Sequence, residues 1–423
     1  MNVTITPKRT LLGEITAPPS KAHTHRALFA GLLSQGVTEI ENPLSCDDTE
    51  ATAAAISSLG ASLERGANAW SVRSNGHPTT ATKEIHCGES GVTLRFTIPI
   101  ASLTGAEITL TGRESLMRRP IQPLAEAMDQ LGVKVAASNQ GVHVEGGPPL
   151  GGKIQIRGDV SSQFISGLLL AAPMMQQGLQ LEMTSPLESR GYVWLTIEIM
   201  KRHGIEVRSN DKMSRFGIRP KQAYCPAADR VPGDFSSAAF AMSAAAITDS
   251  KLLIRGLSQD NSEPDSFVVD ILSKMGVVAH FLPEGLLVEG GELNGINVNV
   301  RDCPDLGPVL AVLGCYADGE TRITGAGRLR YKESDRLDAV ATELRAFGAE
   351  IEETGDGLIV YGPCSLHGSI VHSHGDHRVA MALSVAAIGA KGQVLIEDAE
   401  CVSKSYPTFF DDLRLLGVEV NGR

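Results

Sequence analysis

Leu131-Gly132-Val133-Lys134-Val135 is one of six versions of a single phrase, and their spacing decides the architecture. The others are Leu59-Gly60-Ala61-Ser62-Leu63, His203-Gly204-Ile205-Glu206-Val207, Met275-Gly276-Val277-Val278-Ala279, Phe347-Gly348-Ala349-Glu350-Ile351 and Leu416-Gly417-Val418-Glu419-Val420. Successive glycines lie 72, 72, 72, 72 and 69 residues apart. So constant a period marks one structural unit used six times. A helical pattern precedes each glycine, as in Ile121 to Leu131. The glycine itself fits the position after a helix end, where a positive φ is cheap without a Cβ. An alternating strand, a turn and a second strand follow; in the fifth copy these are Ala349 to Glu352, Thr354 to Gly357 and Leu358 to Tyr361.

A second series runs through Ser20, Ser90, Ser161, Asp234, Asp305 and Asp376, at intervals of 70, 71, 73, 71 and 71 residues. Serine and aspartate are favoured helix N-caps, and small-residue apolar runs such as Phe235 to Ile247 follow most of them. Each unit therefore reads strand, helix, strand, helix, hairpin. The sixth copy stops at Arg423 after one hairpin strand, and the alternating stretch Asn2 to Ile5 supplies the missing partner. The fold class is α/β, with six repeats of about 70 residues, three to a lobe. Residues 1–14 with 230–423 form one lobe and residues 15–229 the other, with crossovers near Glu14–Pro19 and Pro226–Pro232.

Composition narrows the function. The 423 residues are 42% hydrophobic, 21% charged and 4% aromatic, a globular profile rich in small aliphatics. No apolar run approaches the ~20 residues needed to span a bilayer, and the N-terminus carries no signal-peptide core. Seven scattered cysteines without a C-x-x-C pair read as buried reduced thiols in a cytoplasmic chain, with no zinc site. A net charge of −11 argues against a nucleic-acid surface and makes clustered cations informative.

Such clusters occur at the predicted helix starts. One series reads Ser20-Lys21-Ala22-His23-Thr24-His25-Arg26, Gly88-Glu89-Ser90-Gly91, Ser161-Ser162-Gln163, Asp305 and Asp376-His377-Arg378. The other reads Arg118-Arg119-Pro120-Ile121, Ser189-Arg190-Gly191-Tyr192, Lys332-Glu333-Ser334-Asp335-Arg336 and Lys404-Ser405. Helix N-termini favour anions and disfavour cations. Repeating that unfavourable placement at corresponding points suggests a bound polyanion in a cleft between the lobes. A structural repeat scaffold without chemistry is the competing reading, and the joint occurrence of these cations argues against it.

At these residues the chain closely resembles the EPSP synthase family of enolpyruvyl transferases over essentially its full length. The resemblance rests on S-K-x-x-x-x-R (Ser20 to Arg26), S-G-x-x-x-R (Ser90 to Arg95), R-P-I (Arg119 to Ile121), S-S-Q (Ser161 to Gln163) and G-D-x-S-S-A (Gly233 to Ala238). It continues through Asp305, K-E-S-D-R-L (Lys332 to Leu337), D-H-R-x-A-M (Asp376 to Met381) and K-S-Y-P (Lys404 to Pro407). It implies a two-lobed inside-out α/β barrel. It also implies transfer of the enolpyruvyl group of phosphoenolpyruvate to the 5-hydroxyl of shikimate 3-phosphate, in the shikimate pathway to chorismate and aromatic amino acids. No metal or organic cofactor is implied, and the partners are these two small molecules, with no nucleic acid, no membrane and a monomeric chain.

The resemblance implies Asp305 as base toward the 5-hydroxyl, Glu333 as acid toward the methylene carbon, and Lys21 between the reacting atoms. It implies Lys21, Gly91, Arg119, Gln163, Arg336, Arg378 and Lys404 around phosphoenolpyruvate. Around shikimate 3-phosphate it implies Lys21, Ala22, Arg26, Ser161, Ser162, Gln163, Ser189, Asp305, Arg328 and Lys332. Tyr192 against the ring, Glu89 and His377 form a second tier. Ala22, Glu89 and Arg328 depart from the family's usual Ser or Thr, Asn and Asn. Glu89 is tolerable beside an anion site if it pairs with an arginine. The related UDP-N-acetylglucosamine 1-carboxyvinyltransferases usually carry a cysteine in the loop that here reads Gly112 to Arg119 and has none, and an Asn after the lysine where Ala22 stands. In the family the phosphonate glyphosate competes with phosphoenolpyruvate, and Gly91 would form part of that wall.

Overall fold

A computed structural model describes residues 1–259 and 263–422, so Arg423 lies outside the described residues. The six glycine phrases all become the same helix ending. Gly60, Gly132, Gly204, Gly276, Gly348 and Gly417 have φ between 84° and 101°. At the second, the Gly132 N–H donates to Asp129 O at 2.9 Å and the Val133 N–H to Met128 O at 3.0 Å. That pair of bonds satisfies carbonyls the helix Gln122–Gln130 would leave open. The same two bonds recur after each of the other five glycines. A Cβ on Gly132 would meet nothing within 4 Å, so the glycine is there for its backbone angle and not for space.

Each repeat builds one four-stranded mixed sheet, and there are six. In the second repeat, Glu84–His86 runs parallel to Ile108–Thr111 with Glu84 opposite Thr109. Ile108–Thr111 is antiparallel to Gly141–Val144, which pairs in turn with Val135–Ser138. The parallel pair needs a crossover, and the helix Gly91–Ser102 provides it. In the sixth sheet the N-terminal strand Val3–Thr6 lies between Val394–Glu397 and Glu419–Gly422, with Val3 opposite both Ile396 and Gly422. The first strands of two other sheets come from a distance: Ala228–Arg230 joins Gln35–Glu41, and Glu14–Thr16 joins Lys251–Arg255.

The chain divides into two compact units, residues 19–231 and residues 1–18 with 232 onward. Each holds three of the sheets. Within each unit the cap-series helices are buried nearly all round. Every residue of Phe235–Ala246 and of His377–Ile388 is buried, as is all of Gly91–Ser102 except Val92. A helix apolar on every face belongs in an interior, and the small residues let these helices pack closely. The sheets cover them, which gives the inside-out arrangement of this mixed α/β fold.

One sequence expectation needs correction. Cys225 is exposed and Cys364 half-exposed, so not all the thiols are buried. Among the described residues no helix is long and apolar enough to cross a membrane.

Candidate active site

Burial on all sides leaves these helices only their ends for polar contact. In the unit of residues 19–231, Ser20 caps Lys21–Leu33, Ser90 caps Gly91–Ser102 and Ser161 caps Ser162–Ala171, each accepting a backbone N–H within the first turn. The cap places Lys21 first in its helix, where its Nζ meets Asp48 Oδ2 at 2.7 Å. The Asp48 carbonyl accepts from the Thr93 hydroxyl at 3.5 Å, and that hydroxyl donates to Ser90 Oγ at 2.7 Å. Lys21 is thereby tied to the helix start that carries Gly91.

Gly91 sits against a cationic cluster. A Cβ there would lie 3.1 Å from Arg119 Nη1 and 3.5 Å from both Arg95 Nη1 and Gln163 Oε1. Arg95 donates to Gln163 Oε1 at 2.7 Å and stacks over Phe164 at 5.3 Å. Ser161 Oγ accepts the Gln163 N–H at 3.3 Å, and Ser162 opens the helix, buried. Glu89 accepts from the Ser115 hydroxyl and lies 3.8 Å from Arg113, the arginine pairing its charge requires.

Arg26 is 1% exposed. Its Nε donates to Thr196 Oγ1 at 2.8 Å, Nη1 to Ala22 O at 2.7 Å and Nη2 to Tyr192 O at 3.0 Å. It stacks between Phe96 and Tyr192, at 5.3 and 5.9 Å from the ring centroids. Ala22 packs against Ala30, Leu195 and Ile199. Ser189 caps the helix Arg190–Arg202 in the left-handed region, φ 53°, and is buried.

The other unit assembles carboxylates around one guanidinium. Arg336, 2% exposed, donates from Nε to Asp376 Oδ2, from Nη1 to Asp305 Oδ1 and from Nη2 to Glu333 Oε2, each at 2.7 Å. Lys332 Nζ adds a bond to Asp305 Oδ1 at 3.0 Å. Burial opposes ionisation of Asp305, yet Lys332, Arg336 and Arg378 outweigh it and hold the carboxyl well below the ordinary range. Burial likewise works against the Arg336 charge, and its three carboxylates reverse that and raise its pKa. For Lys332 burial wins, and its pKa falls despite Asp305. Asp376 caps His377–Ile388, so one carboxylate fixes both that helix start and Arg336. Arg378 donates from Nη1 to Ser236 O at 2.7 Å and lies over Phe240 at 5.7 Å. Lys404 Nζ donates to Gly375 O at 2.8 Å, and His377 is buried one residue after the cap.

Two placements differ from the sequence reading. Asp305 is no N-cap: it lies in the 3-10 turn Pro304–Leu306, ahead of the helix Gly307–Tyr316. Its carboxylate is taken by two cations, a stronger attachment than a backbone N–H. Lys404 ends the 3-10 helix Ala399–Lys404 and does not begin a helix, and its Nζ is held by Gly375 O. Arg328 Nη2 donates to Arg301 O at 2.7 Å. Sequence reasoning did not assign Arg95, Asp48 and Asp376 to the site. Arg95 was within reach, because S-G-x-x-x-R places it one turn after Gly91 on the same helix face.

The chain thus combines inside-out repeats with helix ends that hold cations in one unit and clamped carboxylates in the other. The fold is that of the enolpyruvyl transferase NikO from Streptomyces tendae, at TM-score 0.80 and 18% identity over 99% of this chain and 98% of that one. The EPSP synthase from Acinetobacter baumannii is similar at TM-score 0.83 and 27% identity, with both chains fully covered. A 3-phosphoshikimate 1-carboxyvinyltransferase from Natronomonas pharaonis is 40% identical over 99% of both sequences. The family model of EPSP synthase (3-phosphoshikimate 1-carboxyvinyltransferase) matches residues 5–413, and the chain belongs to that family.

Proposed function

We propose that the chain transfers the enolpyruvyl group of phosphoenolpyruvate to the 5-hydroxyl of shikimate 3-phosphate, releasing phosphate, in the cytoplasm. The observation that carries this reading is the pair of carboxylates, Asp305 and Glu333, held by one buried guanidinium within 2.7 Å of each. The reaction needs a proton delivered to the methylene carbon and another removed from the hydroxyl, and then the reverse at the new methyl group. Asp305, held ionised, is the base toward the hydroxyl, and Glu333 serves the carbon. Lys21 stabilises charge developing between the reacting atoms.

Gly91, Arg119, Gln163, Arg336, Arg378 and Lys404, with Lys21, take phosphoenolpyruvate. Forked guanidinium donors suit its carboxylate and phosphate. Arg26, Ser161, Ser162, Ser189, Arg328 and Lys332 take shikimate 3-phosphate, beside Ala22, Gln163 and Asp305. Arg336 must loosen its hold on Asp305 and Glu333 as substrate anions arrive, which frees the carboxylates only when the site is filled. Phosphate release from phosphoenolpyruvate tests the function. The expected result is release that requires shikimate 3-phosphate and matches product one for one; release indifferent to that acceptor would overturn it.

A further inference from the structure

Cys364 follows the strand Gly357–Gly362, and Cys315 lies in the last turn of the helix Gly307–Tyr316. The Cys364 N–H donates to Cys315 O at 2.7 Å. Adding the intra-residue N–Cα and Cα···O spans, the two Cα atoms are at most ~6.6 Å apart, inside the ~4.4–6.8 Å that a disulfide bridges. We propose that Cys364 is a hydroperoxide-reactive thiol and Cys315 its resolving partner, so that oxidation closes a disulfide between that helix and the segment after the strand.

The surroundings divide the labour between the sulfurs. Cys364 is half-exposed, whereas Cys315 is fully buried. The Cys364 sulfur accepts the Glu350 N–H at 3.5 Å, and when protonated its S–H donates to Tyr361 O at 3.1 Å. The neighbouring Cys315 side chain lowers the Cys364 thiol to about 6, against opposition from burial, with help from the Glu350 N–H. The titratable groups facing it are Cys315, Tyr316 and the Glu350 carboxylate, and the last of these opposes its ionisation. Cys315 is pushed the other way, by the neighbouring Cys364 and by burial, and its S–H donates to Ala311 O at 3.4 Å. Burial raises Cys46 to about 11 and Cys87 and Cys401 to about 12, which leaves those thiols unreactive.

The chemistry balances with one hydroperoxide. The Cys364 thiolate attacks the outer peroxide oxygen, the O–O bond breaks, and the leaving oxygen takes a proton, giving water from hydrogen peroxide and a sulfenic acid at Cys364. The Cys315 thiol gives up its proton, attacks the Cys364 sulfur and expels hydroxide, which becomes the second water. Two thiols are oxidised by two electrons and one peroxide is reduced.

The test uses the whole native chain, with the exposed Cys225 as internal reference. Brief alkylation with iodoacetamide at pH 6.5, mapped by peptide mass, should modify Cys364 several-fold faster than Cys225. One equivalent of hydrogen peroxide should then yield a Cys315–Cys364 peptide pair lighter by two hydrogens. In Cys315→Ser, dimedone should trap a sulfenic acid at Cys364. Cys225 reacting as fast as Cys364, or peroxide leaving both Cys315 and Cys364 as free thiols, would overturn the proposal. Neither of those readings depends on a variant folding.

Discussion

In the unit of residues 19–231 two buried arginines hydrogen-bond neutral acceptors: Arg26 a hydroxyl and two carbonyls, and Arg95 the Gln163 amide. In the other unit Arg336 spends all three of its nitrogens on carboxylates. The first arrangement keeps positive charge available to an incoming anion. The second neutralises it and keeps carboxylates in place for proton transfer. In the proposed reaction the first unit is thus the receptor side, while the second, built from the same repeat, adds the acids and bases beside its own anion-binding Arg378 and Lys404. Their substitutions should fail in different ways.

The largest difference should appear in stability. Arg336→Met would leave three carboxylates without their common cation, and breaking such a buried network typically costs ~3–5 kcal/mol. Arg95→Met leaves the neutral Gln163 amide without its donor, with an expected cost of ~1–3 kcal/mol. Chemical denaturation of the two variants compares them directly, and equal losses would erase the distinction between the units. Next comes turnover. Glu333→Gln and Asp305→Asn should each lower kcat by at least ~10²-fold, the usual contribution of a positioned acid or base. Substrate binding by calorimetry should survive in both. Near-normal turnover in either would remove that residue from the proton-transfer role.

Much of this was readable in the sequence because the signals are local. A glycine after a helix and a serine or aspartate before one each report a backbone need that tertiary structure does not alter, and all six glycine endings formed. The cap series formed at five of its six points and failed at Asp305. There Pro304 and a tight 3-10 turn shift the helix start to Gly307, and long-range ion pairing claims the side chain. What could not be read is which partner each charge takes. Asp48 lies 27 residues from Lys21, and Asp376 lies 40 from Arg336. Packing of two helices within one repeat makes the first pair, and packing of separate repeats makes the second.

The Asp305 pairing also makes a prediction about acid. Its folded pKa lies below the unfolded value of ~3.9. Its stabilising contribution is therefore complete above that value and is lost as pH falls through the folded one. Wild type should lose stability below about pH 4 more steeply than Asp305→Asn, read from denaturation midpoints across an acid series; parallel curves would mean that Asp305 is not held ionised by its cations.

The smallest effect belongs to the receptor side. Gly91→Ala places a methyl 3.1 Å from Arg119 Nη1, the movable end of a long side chain. The guanidinium should yield by a few tenths of an ångström, raising the KM for phosphoenolpyruvate by a few-fold with kcat nearly unchanged. Inhibition by glyphosate, the longer anion, should weaken more than the KM rises. A fall in kcat with constant KM would place Gly91 on the wrong side of the comparison.

The division of labour rests on the carboxylates of one unit delivering a proton to carbon. Turnover in D2O, with the vinyl carbon of the product read by mass spectrometry, measures that step. If Glu333 and Asp305 work as described, a solvent-derived proton enters the methyl group of the addition intermediate, and elimination leaves deuterium on the vinyl carbon of the product. Wild-type product carrying only protium there would mean that no proton passes to that carbon, and would contradict the account.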